Sequence, residues 1–255
     1  MQSKKSPSFT KNNSEIELSL ILACYNESGI FNDSMKKIEE FFKNWKYSYE
    51  LIFVDDKSTD NTAELIKKFA KGKKNVKTFF HEKNQGRGKT VSDGIKKANG
   101  KIVGFVDVDL EVPIEQTLSL IEAIKNGSDI AIGKRIYVTK PKYIHRHILS
   151  KAYSLLSKVM LAHPFFDTEA GCKFFNRKKI LPFLSQTKEN HWFWDTEIVL
   201  RPYFAGLKII EVPVLFIKNE NAASTVKIFA DTINYLKNLW KYSAEFRKLS
   251  KLKRA

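Results

Sequence analysis

The sequence has few of the residues that define secreted, fibrous or membrane-spanning proteins. Its 255 residues include only two cysteines, Cys24 and Cys172, which excludes a disulfide framework and fits a reducing compartment. With 11 glycines and 7 prolines, the chain is neither collagen-like nor of low complexity. No uncharged apolar run reaches the roughly 18 residues that a membrane-spanning helix needs. These absences leave a globular protein with one main core.

Acidic residues are also scarce relative to basic ones. The chain has 44 Lys and Arg against 28 Asp and Glu, an excess of 16 positive charges. Such an excess suits an anionic partner, which can be nucleic acid, a phosphorylated ligand or an anionic membrane surface. Residues 1–17 are polar and lack the apolar segment of a secretory signal, so we expect a loose tail there. We expect the main domain at residues 18–227 and a C-terminal helix at residues 228–255.

The first half of the chain alternates short apolar runs with amphipathic segments. The runs predict strands at residues 18–23, 49–54, 76–80 and 101–106, and the segments between them predict helices at residues 34–45, 60–69 and 89–98. This alternation predicts an α/β protein with a mostly parallel central sheet, helices on both faces and a ligand crevice at the carboxyl ends of the strands. Beyond residue 114 the pattern loosens. It predicts helices near residues 115–125, 143–161, 197–204 and 225–252, and strands at residues 129–132, 173–176 and 209–215.

Two acidic clusters follow predicted strands. Asp55 and Asp56 follow the second strand, and Asp107 begins an Asp-Val-Asp-Leu-Glu stretch after the fourth. In an extended segment alternate residues share a face, which would point Asp107, Asp109 and Glu111 into one cavity. Mg²⁺ and Mn²⁺ prefer oxygen ligands and commonly bridge carboxylates to a substrate diphosphate. The alternative is that these acids are solvated strand ends.

A basic glycine loop, Asn-Gln-Gly-Arg-Gly-Lys-Thr, occupies residues 84–90. Its last three residues match the end of a phosphate-binding P-loop, but that motif also requires a glycine where this chain has Lys83. The P-loop interpretation therefore fails. The glycines suit a tight turn into a helix, with Arg87 and Lys89 placed near a phosphate or, alternatively, in a solvated basic loop.

Seven short motifs together resemble those of glycosyltransferase family 2, and within it the branch of dolichyl-phosphate mannose synthases and dolichyl-phosphate glucosyltransferases. The resemblance extends from about residue 18 to residue 227. The family implies a GT-A (Rossmann-like) fold, a GDP- or UDP-hexose donor, Mg²⁺ or Mn²⁺, and inverting transfer to a polyprenyl phosphate at a membrane surface. The motifs, in chain order, are Ala-Cys-Tyr-Asn-Glu27, Val-Asp-Asp-Lys-Ser-Thr-Asp60, Asn-Gln-Gly-Arg-Gly88, Asp-Val-Asp109, Gly-Lys-Arg135, Asp-Thr-Glu-Ala-Gly-Cys-Lys173 and Trp-Phe-Trp-Asp-Thr-Glu197.

Matching positions imply roles for individual residues. The catalytic groups are Asp107, Asp109 and Arg135, and the metal ligands are Asp107, Asp109 and Glu111. The nucleotide-sugar pocket is expected to contain Tyr25, Glu27, Asp55, Asp56, Arg87, Lys89 and Asp107. The acceptor phosphate is expected to contact Arg135, Arg146, Ser150 and Lys227.

The chain departs from the family pattern at four positions. Cys24 replaces the usual proline, Lys57 the usual glycine of Asp-Asp-Gly-Ser, and Cys172 a typical phenylalanine. Thr225 stands where the family has a basic residue, so either Lys227 takes over that role or the acceptor differs.

The identity of the acceptor decides whether a general base is needed. A phosphate monoester is largely ionised at neutral pH, with a second pKa near 6, so arginines are sufficient to hold it. A glycan, protein or lipid hydroxyl needs a base, for which Asp195 and Glu197 are the candidates. A third hypothesis, from the net charge, is a basic nucleic-acid-binding module, but the chain contains no nucleic-acid motif and its acids cluster where a groove would need to be positive.

The C-terminal segment is basic and amphipathic. It carries scattered apolar residues among seven Lys and Arg after Tyr235. Such a helix can lie in the headgroup region of an anionic membrane or pack on its own domain, and the sequence leaves both open. If it binds lipid, we expect a peripheral protein on the cytoplasmic face of a membrane, with room for a membrane-protein partner. The adjacent aromatics Trp192, Phe193 and Trp194 suit the core better than a ligand surface, and the histidines lack the paired spacing of a zinc site.

Overall fold

A computed structural model of the protein describes residues 15–138, 144–219 and 228–254, without the side chains of residues 144–150, 228–231 and 254. The first half contains the predicted alternation. Its strands are β1 (Leu18–Cys24), β2 (Tyr49–Asp55), β3 (Val76–Phe80) and β4 (Ile102–Val106), and its helices are α1 (Phe31–Lys43), α2 (Thr62–Ala70) and α3 (Arg87–Lys97).

The second half is less regular. A short 3₁₀ turn at Ile114–Gln116 leads into α4 (Thr117–Lys125). The remaining elements are β5 (Ile130–Val138), α5 (Ile144–Leu161), β6 (Cys172–Asn176), α6 (Arg177–Leu184), α7 (Trp194–Phe204), β7 (Ile209–Ile217) and α8 (Ile228–Arg254). The sequence pattern missed α6, whose interior contains Pro182.

One seven-stranded sheet organises the molecule, in the order β3-β2-β1-β4-β6-β5-β7. All its pairs are parallel except those of β6, which runs antiparallel to both β4 and β5. The prediction of a mostly parallel α/β sheet with the GT-A architecture is confirmed. Because β1, β2 and β4 are parallel neighbours, the residues that follow them meet at one edge.

Apolar side chains fill a layer on each face of the sheet. One layer lies under α1, α2 and α4, and the other under α3, α6 and α7. Helix α8 belongs to the second layer, because Tyr235, Leu239, Tyr242 and Phe246 are buried in it. The C-terminal helix therefore packs on the domain along one face. Within the described ranges, no helix has both the length and the apolarity needed to cross a bilayer.

Candidate active site

Three carboxylates gather where β1 and β4 end. Burial raises the pKa of Glu27 to about 8, with further contributions from Asp109, Asp107 and Asp60. Burial likewise raises the pKa of Asp109 to about 7, helped by Asp107 and Glu111. Glu27, Asp107 and Asp109 thus share one partly enclosed, electronegative hollow. Asp55 adjoins it, since Glu27 and Asp55 both act on the buried thiol of Cys24 and contribute, after burial, to raising its pKa.

The segment after β4 turns and does not remain extended. The Leu110 backbone N–H donates to Asp107 O at 3.1 Å, and Leu110 has a φ of 49°. The Glu111 N–H donates to Asp109 Oδ1 at 3.1 Å. The prediction that alternation in a strand aligns the three acids is therefore wrong. A turn brings Asp107 and Asp109 together, while Glu111 forms an ion pair with Lys218.

The acids fit a divalent cation whose remaining ligands come from its substrate. Among the described residues, no three His, Cys, Asp or Glu side chains are grouped to hold a metal ion by themselves. Mg²⁺ commonly takes one or two carboxylates and obtains its other ligands from water and substrate phosphates. Mutual repulsion among Glu27, Asp107 and Asp109 is what such a cation would relieve. The donor set therefore fits Mg²⁺ or Mn²⁺ at Asp107 and Asp109.

Gly171 makes room for the Asp107 carboxylate. The Asp107 N–H donates to Gly171 O at 3.0 Å, so the two backbones are neighbours. A Cβ on residue 171 would lie 1.6 Å from Asp107 Oδ2. A side chain at this position would expel the carboxylate, which explains the glycine of the Asp-Thr-Glu-Ala-Gly motif.

Arg87 connects the acidic hollow to helix α7. Its Nε and Nη2 donate to Asp107 Oδ1 at 3.0 and 2.6 Å, and its Nη1 pairs with Asp195. Asp195 also pairs with Lys173, which is fully buried in β6. Arg87 thus links the half-buried Asp107 to the buried Asp195 and Lys173, and the solvated-loop alternative does not describe it. Lys89, in contrast, pairs with Asp93 on its own helix.

Asp56 braces the glycine loop. Its two carboxylate oxygens accept the N–H groups of Gln85 and Gly86, each at 2.8 Å, and His81 Nδ1 lies 2.8 Å from Oδ1. The Lys89 N–H donates to Asn190 O at 3.0 Å. Protein acceptors therefore occupy these amides near the start of α3. Asp55 is engaged locally as well, by the N–H and hydroxyl of Ser58.

The loop with Tyr25 and Glu27 lies against the one after β2. The Asn26 N–H donates to Ser58 Oγ at 2.9 Å, and the Glu27 N–H to Thr62 Oγ1 at 2.8 Å. Tyr25 is half-buried beside them. Lys57, which replaces the family's glycine, has a φ of 62°, the left-handed region where glycine is favoured. The chain thus keeps the turn geometry at a conformational cost.

Arg135 lies in β5, next to the segment that contains both Asp167 and Gly171. Its Nε and Nη2 donate to the two oxygens of Asp167 at 2.7 and 2.8 Å. The rings of Tyr137 and Phe216, which contact each other, lie beside it with centroids 5.6 and 5.7 Å from Cζ. Burial lowers the pKa of Arg135 and the Asp167 charge raises it, with a net rise. The side chains of Arg146 and Ser150, and the whole of Lys227, lie outside the described residues.

The two acids considered as bases are both engaged. The carboxylate oxygens of Asp195 pair with Arg87 and Lys173. One oxygen of Glu197 binds the Arg201 guanidinium, and the other accepts the N–H groups of Lys188 and Glu189 at 3.0 and 2.7 Å. Both side chains are buried. In this arrangement neither acid is poised to accept a proton from a substrate.

Of the three adjacent aromatic residues, two lie in the core and one lies at the surface. Phe193 and Trp194 are buried, as expected. Trp192 is exposed, and its ring lies 5.4 Å from the Arg87 guanidinium carbon, at the rim of the hollow.

Sequence reasoning assigned no role to Asp167 or Lys173, the counterions of Arg135 and Asp195. A signal for Lys173 was present, because a lysine inside an apolar strand must find a buried anion. Its partner lies 22 residues away, and the partner of Arg135 lies 32 residues away. Only the fold identifies these pairs.

Comparison with known proteins identifies the family of this chain. The model of the family described as Glycosyl transferase family 2 matches residues 19–181, more than half of the chain. A dolichyl-phosphate beta-glucosyltransferase of Dictyostelium discoideum is 27% identical over 266 residues, covering 92% of this chain and 80% of that protein. Glycosyltransferase AglD of Haloferax volcanii is 27% identical over 206 residues, covering 78% of this chain but 33% of its own length. The chain thus spans about a third of that relative.

A solved structure supports the fold. Glucosyl-3-phosphoglycerate synthase of Mycobacterium tuberculosis, in complex with Mn²⁺, UDP-glucose and phosphoglyceric acid, superposes with a TM-score of 0.68 at 16% identity, covering 94% of this chain and 86% of the other. The family match shows that this protein is an enzyme. The chain belongs to glycosyl transferase family 2 and is a glycosyltransferase.

Proposed function

We propose that the enzyme transfers a hexose, with inversion, from a nucleotide-diphosphate sugar to a polyprenyl phosphate. One observation carries the choice of acceptor. The Arg135 guanidinium is held in one orientation by Asp167, whereas Asp195 and Glu197 are held by ion pairs. A site with a preset arginine, in which the two acids predicted as bases are both engaged, suits a nucleophile that is already ionised. The name of the Dictyostelium relative, a dolichyl-phosphate glucosyltransferase, agrees with this acceptor.

The donor is proposed to bind along the acidic edge. Tyr25, Glu27 and Asp55 line the side where β1 and β2 end, which suits the nucleoside, with Asp56 bracing the loop beside it. Asp107 and Asp109 would hold Mg²⁺ or Mn²⁺. When bound, the cation neutralises charge that develops on the leaving diphosphate. Arg87 lies 2.6 Å from Asp107 and brings a second positive charge to the same place.

The reaction needs no proton transfer at the acceptor. An oxygen of the acceptor phosphate, held by Arg135, attacks the anomeric carbon on the face opposite the diphosphate. The bond between that carbon and the diphosphate oxygen breaks as the new carbon–oxygen bond forms, so the nucleoside diphosphate leaves and the configuration inverts. Arg146, Ser150 and Lys227 remain proposed contacts of the acceptor phosphate.

One observation favours a second candidate, transfer to a glycan, protein or lipid hydroxyl. Burial raises the pKa of Glu169 to about 7, against the opposing effect of Arg135. A carboxylate with that pKa is matched to general-base catalysis at neutral pH. Radiolabelled donors offered with and without polyprenyl phosphate separate the two candidates. A labelled product that forms equally well without the lipid phosphate would reject the first.

We place the enzyme at a membrane surface, where a polyprenyl phosphate resides. The outer face of α8 exposes Ile233, Leu236 and Trp240, and the lysines of this basic helix suit anionic headgroups. The buried, unpaired thiols of Cys24 and Cys172 are compatible with a reducing compartment, and hence with the cytoplasmic face. A membrane-protein partner on that surface remains part of the proposal.

The donor site can be tested by thermal stability. We expect a UDP- or GDP-hexose to raise the melting temperature in the presence of Mn²⁺ or Mg²⁺, because ligands that bind only the folded state stabilise it. Asp109→Ala is expected to abolish the metal-dependent part of that rise. Asp129→Ala, which removes a carboxylate that pairs with Lys179 at the opposite edge of the sheet, is the matched control. An unchanged metal response in Asp109→Ala would remove Asp109 from the site.

A further inference from the structure

Where β6 no longer pairs with β5, a turn takes its place as the neighbour of that strand. β6 pairs with β5 only at Ile130, Ala131 and Ile132, although β5 continues to Val138. Further along, the Arg135 backbone N–H donates to Asp167 Oδ2 at 3.1 Å. The same oxygen accepts Arg135 Nε at 2.7 Å, and the other accepts Nη2 at 2.8 Å. One carboxylate therefore fixes both the backbone and the side chain of Arg135.

Glu211, on β7, holds that turn in place. Its Oε1 accepts the N–H of Phe166 at 2.7 Å and the N–H of Asp167 at 2.8 Å. Two consecutive amides that converge on one oxygen leave the turn little rotational freedom. Phe166 is held further by a hydrogen bond from Ser154 Oγ to its carbonyl. A rigid line of contacts thus runs from Glu211 through the turn to Asp167 and Arg135.

The geometry of the Arg135 guanidinium indicates the effect of these contacts. Arg has five N–H donors in a planar fork, and Asp167 engages one edge, that of Nε and Nη2. A second edge, made by Nη1 and Nη2, has the spacing that matches two oxygens of a phosphate. The rings of Tyr137 and Phe216, which contact each other, lie near the fork and limit its movement on that side. Fixing the first edge therefore sets the direction in which the second one points.

We infer that Asp167 and Glu211 are positioning residues that aim Arg135 at the acceptor phosphate, an assignment that rests on the proposed acceptor. The charge of Asp167 cannot be its contribution, because a carboxylate next to Arg135 repels an incoming phosphate. Asp167 contributes by orienting Arg135. Orientation strengthens phosphate binding and the negative charge weakens it, so the inference is open to a direct test.

The test uses three variants and a matched control, with a water-soluble short-chain polyprenyl phosphate as the acceptor. Asp167→Asn keeps the shape but removes the acceptor oxygen from one side of the fork. Glu211→Leu removes the acceptor of both turn amides, and Glu211→Gln restores an oxygen there. Asp129→Asn is the control, since Asp129 Oδ2 accepts the Lys208 N–H at 2.9 Å at the other end of the same strand pair.

We expect the KM for the acceptor to rise about tenfold in Asp167→Asn and Glu211→Leu, the loss expected for one or two misaligned charge-assisted hydrogen bonds. The KM for the donor should stay within about twofold, and Glu211→Gln should be close to wild type. Asp129→Asn should leave the acceptor KM unchanged. Tighter acceptor binding in Asp167→Asn, or equal losses for donor and acceptor, would overturn the inference.

A second measurement separates this inference from the proposed function. In protein labelled with ¹⁵N-arginine, the Nε–H of Arg135 should exchange slowly with water because Asp167 accepts it. That signal should broaden in Asp167→Asn and in Glu211→Leu, whatever the acceptor is. If the wild type neither binds nor uses polyprenyl phosphate, the proposed acceptor is wrong, and an unchanged Arg135 signal in Glu211→Leu would independently reject the positioning role.

Discussion

At the scale of single residues, His163 is an imidazole enclosed next to the end of α5. Its Nε2 lies 2.9 Å from Ser157 Oγ, and its ring stacks on Phe165. Burial lowers the pKa of His163 to about 4, and the charge of Lys158 acts in the same direction. The folded protein therefore keeps this histidine neutral at pH values where an exposed histidine is charged.

The sign of the resulting pH dependence follows from proton binding. Between pH 6.5, the ordinary histidine pKa, and pH 4 the unfolded state binds the proton and the folded state does not. This contribution to stability is complete above pH 6.5 and is lost as the pH falls towards 4, by about 3 kcal/mol in all. His163→Gln should flatten the curve of unfolding free energy against pH over this range, measured by urea denaturation. A curve parallel to that of wild type would contradict the prediction.

The residue types in the sequence predicted the acids of the hollow better than the ion pairs that surround it. Asp107, Asp109 and Glu27 could be singled out because acids after apolar strands meet at one edge of a parallel sheet. The engagement of Asp195 by Arg87 and Lys173 could not be predicted, since Arg87 and Asp195 are 108 residues apart and charge pairing has no sequence period. In the sequence Asp195 and Glu197 were candidates for general bases, whereas in the fold both carboxylates are held in ion pairs.

At the scale of elements, α8 has two faces with different tasks. Tyr235, Leu239, Tyr242 and Phe246 are buried along the inner face. On the outer face, Trp240 is 79% exposed. The helix is also pinned by polar contacts, because Glu245 pairs with Arg201 at 2.8 Å and with Lys188 at 3.0 Å. Removing the helix would therefore damage the core as well as any lipid contact.

Point variants separate the two faces. Phe246→Ala should lower the free energy of unfolding by about 3–5 kcal/mol, as expected for a large buried aromatic side chain. Trp240→Ala should change it by no more than about 0.5 kcal/mol, because the ring contributes little to the core. The same Trp240→Ala variant should bind anionic vesicles less well in a sedimentation assay. Vesicle binding equal to wild type would assign the outer face to something other than lipid.

The strands and most helices could be predicted because their apolar periodicity is strong. β3 has the predicted bounds, and β1 and β2 each extend one residue further. The turn after β4 and helix α6 could not be predicted. Leu110 occupies a left-handed conformation that its residue type disfavours, and Pro182 lies within a helix that its ring would normally interrupt. In both places tertiary contacts outweigh local preference.

At the scale of the whole molecule, the 16 excess positive charges and the acidic hollow suit different partners. In the proposed function, the excess basic charge would attract an anionic membrane over about a Debye length, and the hollow would hold a cation with its diphosphate ligand. The acidic hollow lies within a molecule whose overall charge favours anionic surfaces.

Vesicle binding by the intact protein should depend on salt and lipid charge. We expect binding to vesicles with acidic lipids to fall steeply between about 0.05 and 0.5 M NaCl, because the Debye length shrinks severalfold. Vesicles of zwitterionic lipid alone should bind weakly at every salt concentration. Strong, salt-independent binding to zwitterionic vesicles would show that apolar insertion, and not charge, holds the protein at the surface.

The glycines of the loop at residues 84–90 set a limit on engineering this enzyme. A Cβ on Gly86 would lie 2.6 Å from Asn190 O, and one on Gly88 would lie 2.3 Å from the Trp194 side chain. Two segments about 100 positions apart in the chain therefore touch with no side chain between them. Libraries that aim to change the preference for the nucleotide-sugar donor should keep both glycines fixed and vary Tyr25 and Trp192, whose side chains are not enclosed by that contact.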